Sequence, residues 1–278
     1  MNAKLKKLIR PMYLSIRDVI RRKVIGVEPT LPVSSENRHI QFQRLGSKYG
    51  GWTFVETSSL NNSLIVSCGL GEDASFDIEF ASKYNAKIII VDPTPRAIEH
   101  FNGIISRIGK GKESDYRQNG CESIESYDLA GLFEEQLQLC GKALWNEVST
   151  LRFYSPPNPS HVSHSVLNFQ NNYATDTPYI EVQSITIDQL MNDFNIDVID
   201  LIKLDIEGAE IEVIIDMLQK GIYPKQFLVE YDELSKPSRR SKERIELAHN
   251  ALVNSGYILL CKDGINFTYL HSPITTVN

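Results

Sequence analysis

Two short segments of this 278-residue chain hold the side chains best suited to chemistry, and both are apolar runs ending in glycine and carboxylates. The first is Leu64-Ile65-Val66-Ser67-Cys68-Gly69-Leu70-Gly71-Glu72-Asp73, followed by a second apolar run that closes in Asp92, Pro93 and Thr94. Glycines at 69 and 71 allow a tight turn and bring bare backbone N–H groups close to a ligand. Asp92 follows 21 residues after Gly71, a distance at which a carboxylate accepts hydrogen bonds from the diol of an adenosine ribose. We expect Ser67, Gly69, Gly71, Glu72, Asp73, Asp92 and Thr94 to surround a nucleoside cofactor. The spacing alone fits NAD and S-adenosylmethionine equally. A pyrophosphate favours G-x-G-x-x-G and uncharged helix N–H groups. Here the third glycine is missing, and Glu72 and Asp73 stand where the phosphates would lie. They suit a sulfonium and an amino group, although acids in a first helical turn also favour the helix dipole on their own.

The second segment is Val198-Ile199-Asp200-Leu201-Ile202-Lys203-Leu204-Asp205-Ile206-Glu207-Gly208-Ala209-Glu210, and Glu230 and Asp232 close the apolar run after it. Glu210 is explained by the helix dipole. Asp205 is not, because it falls at a strand end facing the expected pocket. Asp205, Glu207 and Glu230 are candidate bases for a hydroxyl nucleophile, or together oxygen ligands for a divalent cation. The motif has too few spaced ligands to assign a metal, and none is expected. Lys203 is expected on the sheet's flank or paired with a carboxylate. His161 and His164, in a loop rich in Pro, Ser and Asn, titrate near neutrality and are further general-base candidates.

The elements that must position these residues alternate. Leu64 to Cys68 and Lys87 to Val91 read as buried parallel strands. Phe76, Phe80, Ala81 and Tyr84 form one helical stripe, and Ala97, Ile98, Phe101, Ile104, Ile105 and Ile108 another. Thr94 and Pro95 open that second helix, and Gly109 is its expected C′ residue. Further strands are expected within 137–144, over 151–154, and from 198 to 204 and 226 to 231. Ser238 caps a helix running to about Ser255. Asp263-Gly264 between two strand-like runs signals a terminal hairpin. The fold class is therefore α/β: a Rossmann-like, mostly parallel seven-stranded sheet with a C-terminal antiparallel hairpin and helices on both faces. Residues 1–60 read as an N-terminal extension and 61–278 as the domain. Residues 110–178 yield least.

Composition is that of an ordinary globular protein, 42% hydrophobic and 23% charged, and the net charge of −6 argues against a general nucleic-acid binder. Cys68, Cys121, Cys140 and Cys261 form no CxxC pair, which argues against a zinc site and fits a reducing cytoplasm. Lys4, Lys6, Lys7, Arg10, Arg17, Arg21, Arg22 and Lys23 oppose only Asp18 on an amphipathic N-terminal segment. Such a helix can rest on an anionic membrane, but a covering helix or a tail is the plainer expectation.

The run Leu201-Ile202-Lys203-Leu204-Asp205-Ile206-Glu207-Gly208-Ala209-Glu210, the turn at 69–71 and Asp92-Pro93-Thr94-Pro95 resemble the FkbM-type methyltransferase family over roughly residues 60–270. Ser67 departs from the pattern, as the family often carries an acid two residues before the first glycine. The resemblance implies a class I fold and methyl transfer from S-adenosylmethionine, commonly to a hydroxyl on a sugar or polyketide-like metabolite. An NAD-dependent oxidoreductase and a non-catalytic methyltransferase-like binding module are the rivals. The acceptor and the oligomeric state are not legible.

Overall fold

A computed structural model describes residues 26–35, 40–158 and 163–272. The basic N-terminal segment and His161 lie outside these residues. Among the described residues, no helix is long and apolar enough to cross a membrane.

The chain opens with an antiparallel hairpin, β1 (Phe42–Leu45) and β2 (Trp52–Val55). Strand β3 (Leu64–Cys68), helix α1 (Ser75–Tyr84), strand β4 (Lys87–Val91) and helix α2 (Pro95–Ile105) follow. Then come β5 (Leu137–Cys140), β6 (Ala143–Leu144), β7 (Thr150–Tyr154), β8 (Tyr179–Ile185) and helix α3 (Ile187–Asp193). The last third is β9 (Leu201–Leu204), α4 (Glu210–Gln219), β10 (Gln226–Glu230), α5 (Arg239–Asn254), β11 (Tyr257–Asp263) and β12 (Asn266–His271).

The main sheet is mixed, with seven strands in the order β11-β12-β10-β9-β3-β4-β5. The five strands from β10 to β5 run parallel, and β12 is antiparallel to both its neighbours. The chain builds outward from β3 first through β4 and β5, then returns to add β9 and β10 on the other side. The strand order therefore reverses at the β3–β9 pair, where a crevice forms beyond the carboxyl ends of the strands.

Period-two alternation sorts the strand side chains into two cores. Val66, Cys68, Ile202, Leu204, Phe227 and Val229 pack against α4 and α5 through Ile211, Ile214, Met217, Ile245 and Leu252. Ile65, Ile88, Ile90, Leu201 and Leu228 pack on the opposite face with α1, α2 and the β2 residues Trp52 and Phe54. The hairpin within 42–55 is tied to this sheet. Gln226 spans the Val55 peptide, accepting its N–H at Oε1 and donating from Nε2 to its carbonyl, both at 2.9 Å. The Thr268 hydroxyl donates to the Thr53 carbonyl at 2.7 Å.

Two boundaries differ from the sequence reading. The strand expected from Val198 begins at Leu201, because Val198 is 57% exposed and Asp200 turns its carboxylate to accept the Leu64 N–H at 2.8 Å. Helix α2 stops at Ile105 rather than near Ile108; the Ser106 hydroxyl folds back onto the Gly103 carbonyl at 2.7 Å. A second, three-stranded sheet, β6-β8-β7, also forms; β7 matches the strand expected over 151–154, while β8 is not announced by the sequence. The Ser238 cap is as expected, its hydroxyl accepting the Ser241 N–H at 3.0 Å.

Candidate functional site

A cavity of about 730 Å³ opens at the β3–β9 crevice, within the size range of small-molecule sites. Its lining includes Gly69, Gly71, Glu72, Asp73, Asp92, Thr94, His164, Asp205, Glu207 and Glu230. The two acidic, glycine-bearing segments thus meet in one space, as their positions at strand ends demand. Ser67 is the exception. It is 1% exposed inside β3, in register with Lys203, and its side chain lies among the residues covered by α1 rather than along the cavity.

The turn after β3 is held from within. Gly69 has φ +87°, and a Cβ there would lie 1.8 Å from the Asp205 carbonyl oxygen. The glycine is required by the approach of the second segment's backbone, whereas the sequence reading assigned it to ligand access. Asp92 has a matching role. Its Oδ2 accepts the Leu70 N–H at 2.9 Å and the Gly71 N–H at 3.0 Å; its Oδ1 accepts the Thr94 N–H at 2.9 Å and the Thr94 hydroxyl at 2.7 Å. Four internal donors fill the lone-pair directions of this carboxylate. Asp92 thereby organises the turn, a role the sequence reading did not assign to it.

The two acids past Gly71 also have internal partners. Both Glu72 oxygens take hydrogen bonds from the Arg96 guanidinium. Burial pushes the Glu72 carboxyl up, but Arg96, with help from Cys121 and His100, outweighs it and the net displacement is downward. Asp73 accepts the Ser75 N–H at 3.0 Å and the Ser47 hydroxyl at 2.7 Å, fastening the β1–β2 loop to the start of α1. They still give this end of the cavity negative charge.

The opposite end is built on a strained turn. Glu207 has φ +56° and Gly208 φ +100°, and a Cβ on Gly208 would stand 2.9 Å from the Phe169 ring. A non-glycine residue in the left-handed region persists where its surroundings hold it. Here the Ser165 hydroxyl donates to the Glu207 carbonyl, and Gln170 Nε2 donates to Glu207 Oε2 at 2.8 Å. The loop from 163 to 170 is therefore a clamp on Glu207. Glu210 completes the turn, its Oε1 accepting the Ile206 and Gly208 N–H groups at 2.9 and 3.1 Å.

Five carboxyls crowd this end. Desolvation is the leading cause of an upward shift in each; repulsion within the cluster adds to it for Glu207, Glu230 and Asp232, and the charge of Asp92 adds to it for Asp205. Glu207 rises to about 7 and Glu230 to about 9. Glu210 rises to about 8, its backbone donors opposing the shift. Asp205 is restrained by Lys203, whose Nζ lies 3.8 Å from Asp205 Oδ2.

Lys203 is the cavity-lining residue that sequence reasoning undervalued. It is 4% exposed, donates to the Gly69 carbonyl at 2.5 Å, and sits 5.5 Å from the centre of the Trp52 ring. The available signal was a lysine inside an otherwise apolar central strand, where a charge must find partners. Tyr49 was missed as well. Its phenol faces the cluster, and burial followed by the charges of Asp205, Glu230 and Glu207 raises its pKa. The β11–β12 turn, read only as a hairpin signal, contributes Asp263 to Asn266 to the wall. His164 lines the cavity with its Nε2 3.4 Å from the Ser155 hydroxyl.

This arrangement, a glycine turn and acid at one end of a crevice and a carboxylate cluster with a buried lysine at the other, belongs to a small-molecule enzyme site. The model of the methyltransferase FkbM domain matches residues 23–249, and the chain belongs to that family. No curated protein and no solved structure gives a significant match. Family membership makes the protein a methyltransferase and implies a methyl donor.

Proposed function

We propose that the chain is a class I O-methyltransferase that uses S-adenosylmethionine to methylate a hydroxyl on a sugar, glycan or secondary metabolite. The observation that carries this reading is the single cavity joining the 69–71 turn to Asp205, Glu207 and Glu230. The strand order, with one reversed strand between β10 and β11, supports a Rossmann-like class I fold.

The residues fit the cofactor. The Gly69-Leu70-Gly71 backbone, braced by Asp92, together with Thr94 would hold the nucleoside, and Glu72 and Asp73 would face the cationic end of the ligand. When bound, the cofactor supplies a methyl group already activated by its sulfonium charge. The protein's part is then alignment, which can supply most of the rate enhancement in such a transfer. Asp205, Glu207 and Glu230 orient the acceptor hydroxyl; Asp205 or Glu207 takes its proton on a carboxylate oxygen, since Glu230, pushed up to about 9, is itself protonated near neutrality, and His164 is a further acceptor at ring nitrogen. Tyr49 and the Asn119-Gly120-Cys121 loop line the cavity beside this cluster.

The net charge of −6 favours a small-molecule or glycan acceptor over nucleic acid. The free thiols at 68, 121, 140 and 261 suit a cytoplasmic setting. Calorimetry with S-adenosylhomocysteine and with NAD tests the reading. Binding of the former at one site per chain and no binding of NAD is expected; the reverse would make the protein an oxidoreductase. Binding of neither would leave a non-catalytic module. Labelled methyl transfer to hydroxylated sugars then identifies the acceptor class.

A further inference from the structure

We propose that Asp77 is a positioning residue for the methyl donor: it is the buried counter-charge that keeps Lys203 from repelling a cationic ligand at the glycine turn. Among the described residues that line the cavity, Lys203 is the only lysine or arginine. It is 4% exposed, and a buried cation has to be balanced by negative charge nearby. Asp205 does this only in part. Its Oδ2 stands 3.8 Å from Nζ, whereas a closed ammonium–carboxylate pair lies at about 2.7–2.9 Å. Nζ turns instead to the carbonyls of Gly69 and Cys68, at 2.5 and 3.4 Å, and to the Trp52 ring. The ammonium therefore rests against the turn that would cradle the donor.

Asp77 is placed to balance it. It lies in the first turn of α1 and is 1% exposed. Helix α1 covers the face of the sheet that carries Ile65 and Leu201. By the two-residue alternation of a strand, Ser67 and Lys203 share that face, and they stand side by side in register across β3 and β9. An acid favours a helix N-terminus on its own, but that gain is small beside the cost of burying an ion. Burial raises the pKa of the Asp77 carboxyl, and the charge of Lys203 is the largest influence opposing it, followed by the Ser67 hydroxyl. Among the described residues no ion pair joins Asp77 to Lys203 directly. The attraction acts through space, and the weakly polar interior extends its reach.

The consequence concerns charge rather than shape. S-adenosylmethionine carries a sulfonium; S-adenosylhomocysteine, one methyl group smaller, is a neutral thioether at that atom. With Asp77 ionised, Asp77 and Lys203 together add no net charge beside the turn. Without it, more of the lysine's charge is left to oppose the sulfonium. This role rests on the methyl-transfer reading.

Calorimetry of the full chain with each of the two ligands is the test. Asp77→Asn is expected to weaken S-adenosylmethionine at least about threefold more than S-adenosylhomocysteine. Adding Ser67→Asp to Asp77→Asn returns an acid to the same pocket from the strand and should restore the wild-type ratio of affinities. Asp188→Asn, which removes one negative charge at an exposed ion pair with Lys220, should keep that ratio. If Asp77→Asn does not fold, Lys203→Met reads the same balance with the opposite sign, S-adenosylmethionine gaining at least about threefold on S-adenosylhomocysteine. An Asp77→Asn protein that loses both ligands equally, or neither, overturns the proposal, as does an unchanged ratio in Lys203→Met. Failure of both ligands to bind wild type removes the methyl-transfer reading and this role with it, whereas binding at one ratio throughout removes the role of Asp77 alone.

Discussion

Replacing Asp92 with Ala should destabilise the protein and weaken nucleoside binding together, because this carboxylate is the keystone of the turn rather than one contact among many. Four donors converge on it: the N–H groups of Leu70, Gly71 and Thr94 and the Thr94 hydroxyl. A buried donor left without an acceptor costs about 1–3 kcal/mol. Gly71 borders the cavity, where water can replace the lost oxygen, but Leu70 and Thr94 are only 4% and 6% exposed. The Thr94 hydroxyl can turn to another acceptor, so the two main-chain donors of Leu70 and Thr94 remain and give a loss of about 2–6 kcal/mol. For a domain of this size that lowers the melting temperature by about 4–20 °C. Asp92→Asn should not restore wild-type stability, since an amide NH₂ would point at donors. The assays are thermal unfolding and S-adenosylhomocysteine calorimetry on both variants. An Asp92→Ala protein that melts within about 2 °C of wild type with unchanged affinity would refute the bracing role and the cofactor role alike.

Other outcomes follow from the same geometry. Gly69→Ala must displace backbone, as its Cβ would sit 1.8 Å from the Asp205 carbonyl oxygen; a loss of about 3 kcal/mol or more is expected by urea unfolding. Gly264→Ala, at φ +64° with nothing within 4 Å, should cost only about 1 kcal/mol. Lys203→Met keeps an unbranched apolar stem near Trp52 but removes the charged donor to Gly69; about 1.5–3 kcal/mol should be lost, and unchanged stability would mean the lysine bears no weight in the turn. Burial lowers the pKa of His100, whose Nε2 lies 2.8 Å from the Tyr127 hydroxyl, itself the acceptor of the Ala74 N–H. A folded pKa below the unfolded value of about 6.5 gives a stability contribution that is whole above that pH and is lost as pH falls through the folded value. Between pH 7.5 and 5.5 the raised carboxyls of Glu207, Glu210 and Glu230 make unfolding free energies rise as pH falls and His100 opposes that rise, so the rise should be steeper in His100→Gln; parallel profiles would exclude the histidine.

The parts of the fold legible in the sequence are those with a simple period or a local chemical marker. Strands β3, β4 and β10 are mostly apolar runs, α2 carries a clean stripe behind Thr94-Pro95, and Asp263-Gly264 marks the closing hairpin. Helix α3 escaped because seven residues give too little periodicity, and β8 because its alternation, with Val182 inward and Gln183 outward, is short and polar. Most of the candidate site was legible because strand ends in a parallel sheet converge. Which atoms already have partners was not. That Arg96 engages Glu72, and that Asp92 faces inward to its own turn, are contacts set by tertiary packing.

The contact of Gly69 with the Asp205 carbonyl has a mechanical consequence. The loop that would cradle the donor and the loop that bears the acceptor acids are keyed together, main chain against main chain, so neither can shift without carrying the other. A substrate that nudges its own end of the crevice is thereby felt at the far one, and the distance between the two reactants is set by the scaffold before either arrives.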